Sequence, residues 1–103
     1  MNIKNHRDNG VYITFNNGIE MSVIWGWGNY CENYNYKDDS ANFMGRLEKI
    51  AKGSHDVEIM MMKGEDKFLN KIIKKYGDGE NPMARVKVED LIEIIIKCYI
   101  KKF

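Results

Sequence analysis

The sequence has few of the residues that would assign it to a specialised class of protein. It contains one proline, two cysteines and two histidines in 103 residues, and its formal net charge is only +1. The cysteines lie far apart, and together with the histidines they give none of the short spacings typical of a zinc site. We therefore predict free thiols in a reducing compartment, no bound metal and no cofactor.

Long apolar runs are also missing. No stretch approaches the ~20 residues of a membrane span, and residues 1–10 contain no apolar core such as a signal peptide needs. A nearly neutral charge argues against direct nucleic-acid binding, which requires a basic surface. We expect a cytoplasmic protein that does not associate with membranes.

A single folded domain over residues 1–103 is expected from the composition. The chain is 44% hydrophobic and 30% charged, which is typical of an ordered globular protein and unlike a disordered tail. A chain of this length has room for one hydrophobic core.

The N-terminal quarter of the chain has the alternation of a β-hairpin. A loose polar lead-in over residues 1–10 precedes two strand patterns, residues 11–15 and 19–25, with Asn17-Gly18 between them. Asn-Gly favours a type I′ turn because both residues tolerate positive φ. In the second strand, alternation places these side chains in the core: Ile19, Met21, Val23 and Trp25.

Later segments add strands and helices. Residues 41–52 have helical spacing, whereas residues 56–62 and 83–88 have strand character. Residues 67–76 fit a helix and a strand equally well. Residues 89–101 predict a C-terminal helix, since acidic side chains at its start and lysines at its end suit the helix dipole. Its predicted core face consists of Leu91, Ile92, Ile95, Cys98 and Tyr99.

The predicted fold class is α+β. The N-terminal hairpin and one to three further strands form a small antiparallel sheet, which two or three helices cover, including the C-terminal helix. Residues 77–82, between the undecided segment and the last strand, are expected to form a loop.

Glycine and aromatic residues are concentrated directly after the second strand. Two glycines, without a third and without a following βαβ unit, exclude a dinucleotide-binding fingerprint. Glycine still allows backbone amides to approach a phosphate closely, aromatic rings can stack on a base, and an arginine can balance the charge. The candidate ligand-binding residues are Trp25, Gly26, Trp27, Gly28, Asn29, Tyr30, Tyr34, Tyr36 and Arg85. The same pattern also fits a hairpin end with buried aromatic rings and surface tyrosines.

Four stretches carry a resemblance to a known group of proteins. They are Phe15-Asn16-Asn17-Gly18, residues 22–31, Asp56-Val57-Glu58-Ile59 and residues 88–94. In this order they resemble small, uncharacterised phage-encoded proteins with a strand, Asn-Gly, a second strand ending in Gly-x-Gly-x-Tyr, and a C-terminal helix opened by acidic residues. The helix-like residues 41–52 and the basic residues 67–76 depart from that pattern. The resemblance implies a phage accessory protein in the host cytosol and assigns no reaction.

Binding without turnover is the function that these features favour. The protein would capture a nucleotide-type host defence signal in a pocket of the glycine-aromatic loop, and such pockets often form between the subunits of a homo-oligomer. The alternative is an inhibitor directed at a bacterial defence nuclease, such as an anti-CRISPR protein. Its interface would combine the tyrosines with acidic residues at Asp38-Asp39 and Asp78-Gly79-Glu80.

Catalysis ranks below both binding functions. A hydrolase of a small phosphate compound would need a nucleophile and a base that converge in space. The residues available for such a role are His55, Glu32 and Asp38. Because no catalytic constellation is recognisable among them, we expect no enzymatic activity.

Overall fold

The computed structural model describes residues 1–5, 10–25 and 56–103. These residues form a five-stranded antiparallel sheet, in which the strands lie in sequence order, and two helices. The strands are β1 (Asn2–Asn5), β2 (Gly10–Thr14), β3 (Glu20–Ile24), β4 (Asp56–Lys63) and β5 (Met83–Lys87). The helices are α1 (Asp66–Gly77) and α2 (Val88–Ile100). The predicted α+β fold with a C-terminal helix is confirmed.

The N-terminal segment is more ordered than its composition suggests. The prediction of a loose lead-in is wrong for Asn2–Asn5, because β1 pairs with β2 over its whole length, from Asn2 opposite Thr14 to Asn5 opposite Val11. The signal was weak because β1 is an edge strand. Only Ile3 packs against the core, and polar side chains are common on such edges.

The turn between β2 and β3 is a three-residue loop, so the predicted type I′ geometry is wrong. The Phe15 amide donates to the Ile19 carbonyl at 2.8 Å, and the Gly18 amide donates to the Phe15 carbonyl at 3.0 Å. Gly18 has a φ of 91°, whereas Asn17 is not among the residues with positive φ. This pattern fits a type I turn that a left-handed glycine closes.

Asn17 has a second role that links the hairpin to α2. Its amide nitrogen donates to the Cys98 carbonyl at 2.7 Å, and its side-chain oxygen accepts from the Ile19 amide at 3.2 Å. The Cys98 carbonyl also accepts from the Lys101 amide at 3.2 Å, so Asn17 adds a second donor to a carbonyl at the end of α2. It also fixes the end of α2 over the β2–β3 turn.

Alternation in the central strands builds the core as predicted. Val23 lies opposite Ile59 and Met21 lies opposite Met61 across β3 and β4. The predicted inward side chains of the second strand are all buried, and the same holds for Val57, Ile59 and Met61 of β4. Among the described residues, the largest fully buried side chains are Trp25, Ile13, Ile19, Met21, Ile59, Ile72, Met83, Leu91, Ile94, Val11 and Val23.

The segment that fitted a helix and a strand equally well in the sequence is helical. Residues 67–76 belong to α1, which buries Phe68, Leu69 and Ile72 and leaves its lysines on the outside. Spacings of three and four residues put those apolar side chains on one face.

The side of α2 that faces the core differs in part from the prediction. Leu91 and Cys98 are buried and Ile95 is half-buried, as expected. The prediction is wrong for Ile92 and Tyr99, which are exposed, and it omitted Ile94, which is fully buried. Nearly every turn of α2 has apolar residues on two sides, so its period alone does not select the inner face.

Other predicted features fall on residues that the structure does not describe. These include the helix over residues 41–52 and the side chains of His6, Cys31 and His55.

Gly77 is the last residue of α1, although the sequence placed it in a loop. A Cβ atom built here would overlap the Cγ atom of Met83 and approach its Cβ atom to 2.9 Å. Met83 is fully buried, so it has little room to move. We expect Gly77→Ala to lower the free energy of unfolding by about 1–3 kcal/mol, as overpacking of a core does, measured by urea denaturation.

The control is a double-mutant cycle with Met83→Ala, which removes the side chain that the new methyl group would strike. The cost of Gly77→Ala should shrink in that background, because the two sites are in contact. An undiminished cost would show that the clash with Met83 is not the cause.

Candidate functional site

The part of the predicted ligand site that the structure describes lies at the end of the sheet where β3 stops. Across this end, Gly10 lies opposite Ile24, and Ile24 lies opposite Glu58. The glycine-aromatic segment begins directly beyond Trp25. These strand ends are marked by Gly10, Ile24, Glu58 and Arg85, and we call them together the β3 end of the sheet.

Arg85 reaches the β3 end through a β-bulge. Val57 pairs with Val86 and Ile59 pairs with Met83, so Ala84 and Arg85 together face the single residue Glu58. Arg85 has a φ of 55°, a left-handed conformation that is uncommon for residues other than glycine. Bulges re-aim side chains at sheet edges, and β5 is an edge strand.

The spacing of strands sets how far Arg85 lies from the predicted loop. Neighbouring strands are about 4.8 Å apart, so β5 and the end of β3 are separated by about 10 Å. The register therefore brings Arg85 and the start of residues 26–36 to the same end of the sheet. It is the only one of the nine predicted site residues that lies among the described residues and is also exposed.

Trp25 has a structural role in this arrangement. Its side chain is 1% exposed and belongs to the main hydrophobic cluster. A ring buried in this way has no open face for stacking on a base. The burial of Trp25 therefore fits a core residue better than a ligand-binding residue. The remaining predicted residues lie outside the described residues: Gly26, Trp27, Gly28, Asn29, Tyr30, Tyr34 and Tyr36.

Charges at the β3 end are balanced. Glu58 is half-buried next to the bulge that contains Arg85, and Asp56 lies opposite Lys87 across β4 and β5. Two acidic and two basic side chains therefore lie close together, and no strong positive field results from them. An anionic ligand at this end would need directed donors, such as backbone amides, in addition to Arg85.

The described residues give no support for a metal centre or a reactive cysteine. Within residues 1–5, 10–25 and 56–103, no three side chains of the metal-ligating types come together. Cys98 lies in the core, and burial raises the pKa of its thiol to about 12. Such a thiol stays protonated at neutral pH, so it is neither a ready nucleophile nor a ready metal ligand.

A polar cluster joins the two helices away from the β3 end. The Tyr76 hydroxyl donates to the Glu93 carboxylate at 3.0 Å and accepts from the Lys97 ammonium at 2.8 Å. Desolvation, followed by the hydrogen bond to Glu93, raises the pKa of Tyr76. The Lys97 ammonium also lies 4.2 Å from the centre of the Phe103 ring. We interpret this cluster as a structural contact, because each polar group in it has a partner within the chain.

The prediction of site residues did not include the outer side of α2, which carries a row of exposed apolar side chains. The signal was present in the sequence as isoleucines at positions 92, 96 and 100, which helical spacing places on one side. Neither α1 nor α2 has the length and apolar character to cross a membrane.

Comparison with known proteins gives no family assignment, because no family model, no curated protein and no solved structure matches this chain.

The left-handed conformation of Arg85 leads to a stability prediction. A non-glycine residue in this region costs about 1–2 kcal/mol, and a β-branched residue fits it worst. Arg85→Gly should therefore leave the free energy of unfolding unchanged or raise it, and Arg85→Val should lower it by about 1–2 kcal/mol, as measured by urea denaturation.

Lys4 supplies the matched control, because it is an exposed lysine within the other edge strand, β1, and is not among the residues with positive φ. There the order should invert, with valine tolerated and glycine destabilising, since strands favour β-branched residues. The same order at both positions would contradict the bulge.

Proposed function

We propose that the protein binds a nucleotide-type ligand without turning it over, in a pocket formed by residues 26–36 and Arg85. The register of the sheet supports this proposal, because it brings Arg85 to the β3 end, where residues 26–36 follow β3 in the chain. Glycine amides would receive the phosphate, Arg85 would pair with it, and the rings of Trp27, Tyr30, Tyr34 and Tyr36 would stack on the base. Trp25 supports this pocket from the core.

The balanced charge of the β3 end fits a small ligand better than a long polyanion. A nucleic acid is attracted mainly by many cations along its backbone, whereas Arg85 and Lys87 here lie beside Glu58 and Asp56. A single phosphate needs only a few directed donors. The described charges therefore support a ligand of nucleotide size.

The biological role that we propose is counter-defence. The resemblance to phage accessory proteins suggests that the ligand is a signal made by a bacterial defence system, and capture of that signal in the host cytosol would silence it. The alternative, inhibition of a defence nuclease by direct protein contact, stays a prediction. Its acidic segment at Asp78-Gly79-Glu80 is described, but no contact there points to a partner.

Calorimetric titration of the folded chain against cyclic and linear nucleotides tests the proposal. We expect saturable binding of at least one nucleotide class. Arg85→Gly should weaken it about tenfold or more, since a charge-assisted hydrogen bond contributes about 1.5–3 kcal/mol. Tyr30→Ala should also weaken it about tenfold, because loss of one stacking ring costs about 1–3 kcal/mol. The bound nucleotide should be recovered unchanged after heat release.

Lys74→Ala is the control for charge, because Lys74 is exposed on α1 and is not part of the β3 end. It should bind as the unchanged protein does. A flat titration with the whole panel, from a sample that is folded by circular dichroism, would sink the proposal. A stoichiometric host protein recovered in its place would favour the inhibitor alternative.

A further inference from the structure

The outer side of α2 is an apolar surface that nothing in the described residues covers. Ile92, Ile96, Tyr99 and Ile100 are 44%, 54%, 61% and 57% exposed, respectively. Their spacing of four, three and one residues puts them in one continuous stripe on the helix. We call these four residues the outer face of α2.

This exposure is more than the scattered apolar surface that every protein has. Single exposed isoleucines need no explanation, but adjacent ones on one helix face form a patch, and such patches mark interaction sites. Phe103 is also 48% exposed but lies apart from this patch, because its ring packs against the Lys97 ammonium in the polar cluster. The inner side of the same helix is already occupied by the core through Leu91 and Ile94.

The charges along α2 indicate what covers the patch. Its first half carries Glu89, Asp90 and Glu93, and its second half and the following residues carry Lys97, Lys101 and Lys102. A partner helix with the same division of charge would be attracted if it ran in the opposite direction, and repelled if it ran in the same direction. The helix is therefore complementary to a second copy of itself.

We propose that the outer face of α2 is the interface of a homodimer, in which two copies of α2 pack antiparallel around a two-fold axis near Ile96. In this arrangement Ile96 contacts its own counterpart, and Ile92 of one subunit faces Ile100 of the other. A two-fold interface requires a surface that complements itself, and the isoleucine row is symmetric about Ile96. This inference does not depend on the nucleotide proposal.

Contacts within the chain determine which charges can pair across the interface. Glu93 and Lys97 are both hydrogen-bonded to the Tyr76 hydroxyl, and the Lys101 ammonium lies 3.4 Å from the Glu65 carboxylate. Glu89 and Lys102 are exposed and lie at nearly equal distances along the chain from Ile96. In the antiparallel dimer, Glu89 of one subunit comes near Lys102 of the other.

The expected dimer is weak. A single helix from each subunit buries less than the roughly 1,600 Å² of a standard interface, so dissociation in the micromolar range is expected. Sedimentation equilibrium over micromolar to high micromolar concentrations should show a reversible shift from 12.1 kDa to twice that mass. A monomer throughout, or an open series of larger species, would overturn the proposal.

Substitution of Ile96 locates the interface. Ile96→Glu puts two carboxylates together at the two-fold axis and should weaken the dimer about tenfold or more, because a buried unpaired charge is costly. The control is Met62→Glu, which adds the same charge at an exposed apolar side chain of β4. It should dimerise as the unchanged chain does, and equal weakening by both variants would place the interface elsewhere.

Charge reversal tests the direction of the helices. Glu89→Lys and Lys102→Glu should each weaken the dimer several-fold, whereas the double variant should restore it, because opposite charges then face each other again. In a parallel pair, each single change would replace one like-charge contact with another, and no restoration would follow. That result would overturn the antiparallel arrangement. Capture of a host protein by a chain that stays monomeric, lost in Ile96→Glu, would overturn the second copy as the occupant.

Discussion

The register of β3 against β4 is the constraint on which the other features of this protein depend. Because side chains alternate across a strand, the pairing of Val23 with Ile59 and Met21 with Met61 puts all four on the face that the helices cover. A slip of one residue would turn this set outward and remove several buried side chains, each worth about 1.5–3 kcal/mol. The same register puts Ile24 opposite Glu58, and the pairing of β4 with β5 puts Glu58 opposite the bulge. The location of the candidate ligand site therefore follows from the packing of the core.

Much of the fold could be predicted because local patterns and tertiary packing agree. Alternation in residues 19–25 and 56–62 and the charged ends of residues 89–101 each describe an element that the structure contains. The predictions were wrong where another part of the chain decides the outcome. β1 is a strand because β2 provides its partner, and Gly77 has no side chain because Met83 occupies the space. Neither relationship is visible in the local sequence.

Of the predicted site residues, the structure describes only Trp25 and Arg85. The pattern assigned Trp25 both to the core face of a strand and to a ligand pocket, and its burial favours the first assignment. Arg85 was included for its charge alone. Its proximity to the loop depends on a bulge, whose extra residue cannot be inferred from the weak alternation of residues 83–88. On α2, apolar residues on two sides left the inner face ambiguous, and the outer set became the exposed patch.

Two surfaces with different chemistry thus emerge. The β3 end combines an arginine in a left-handed conformation with balanced charges and is the proposed site of a small anionic ligand, whereas the outer face of α2 is apolar and is the proposed dimer interface. The most direct test of this division is a nitrogen–proton NMR titration of the folded chain, first with the nucleotide panel and then by dilution. We predict that nucleotide shifts the amide signals of Ile24, Glu58 and Arg85, and that dilution shifts those of Ile92, Ile96 and Ile100. If both treatments move the same set of amides, or if nucleotide leaves Glu58 and Arg85 unmoved, the division into two surfaces is contradicted.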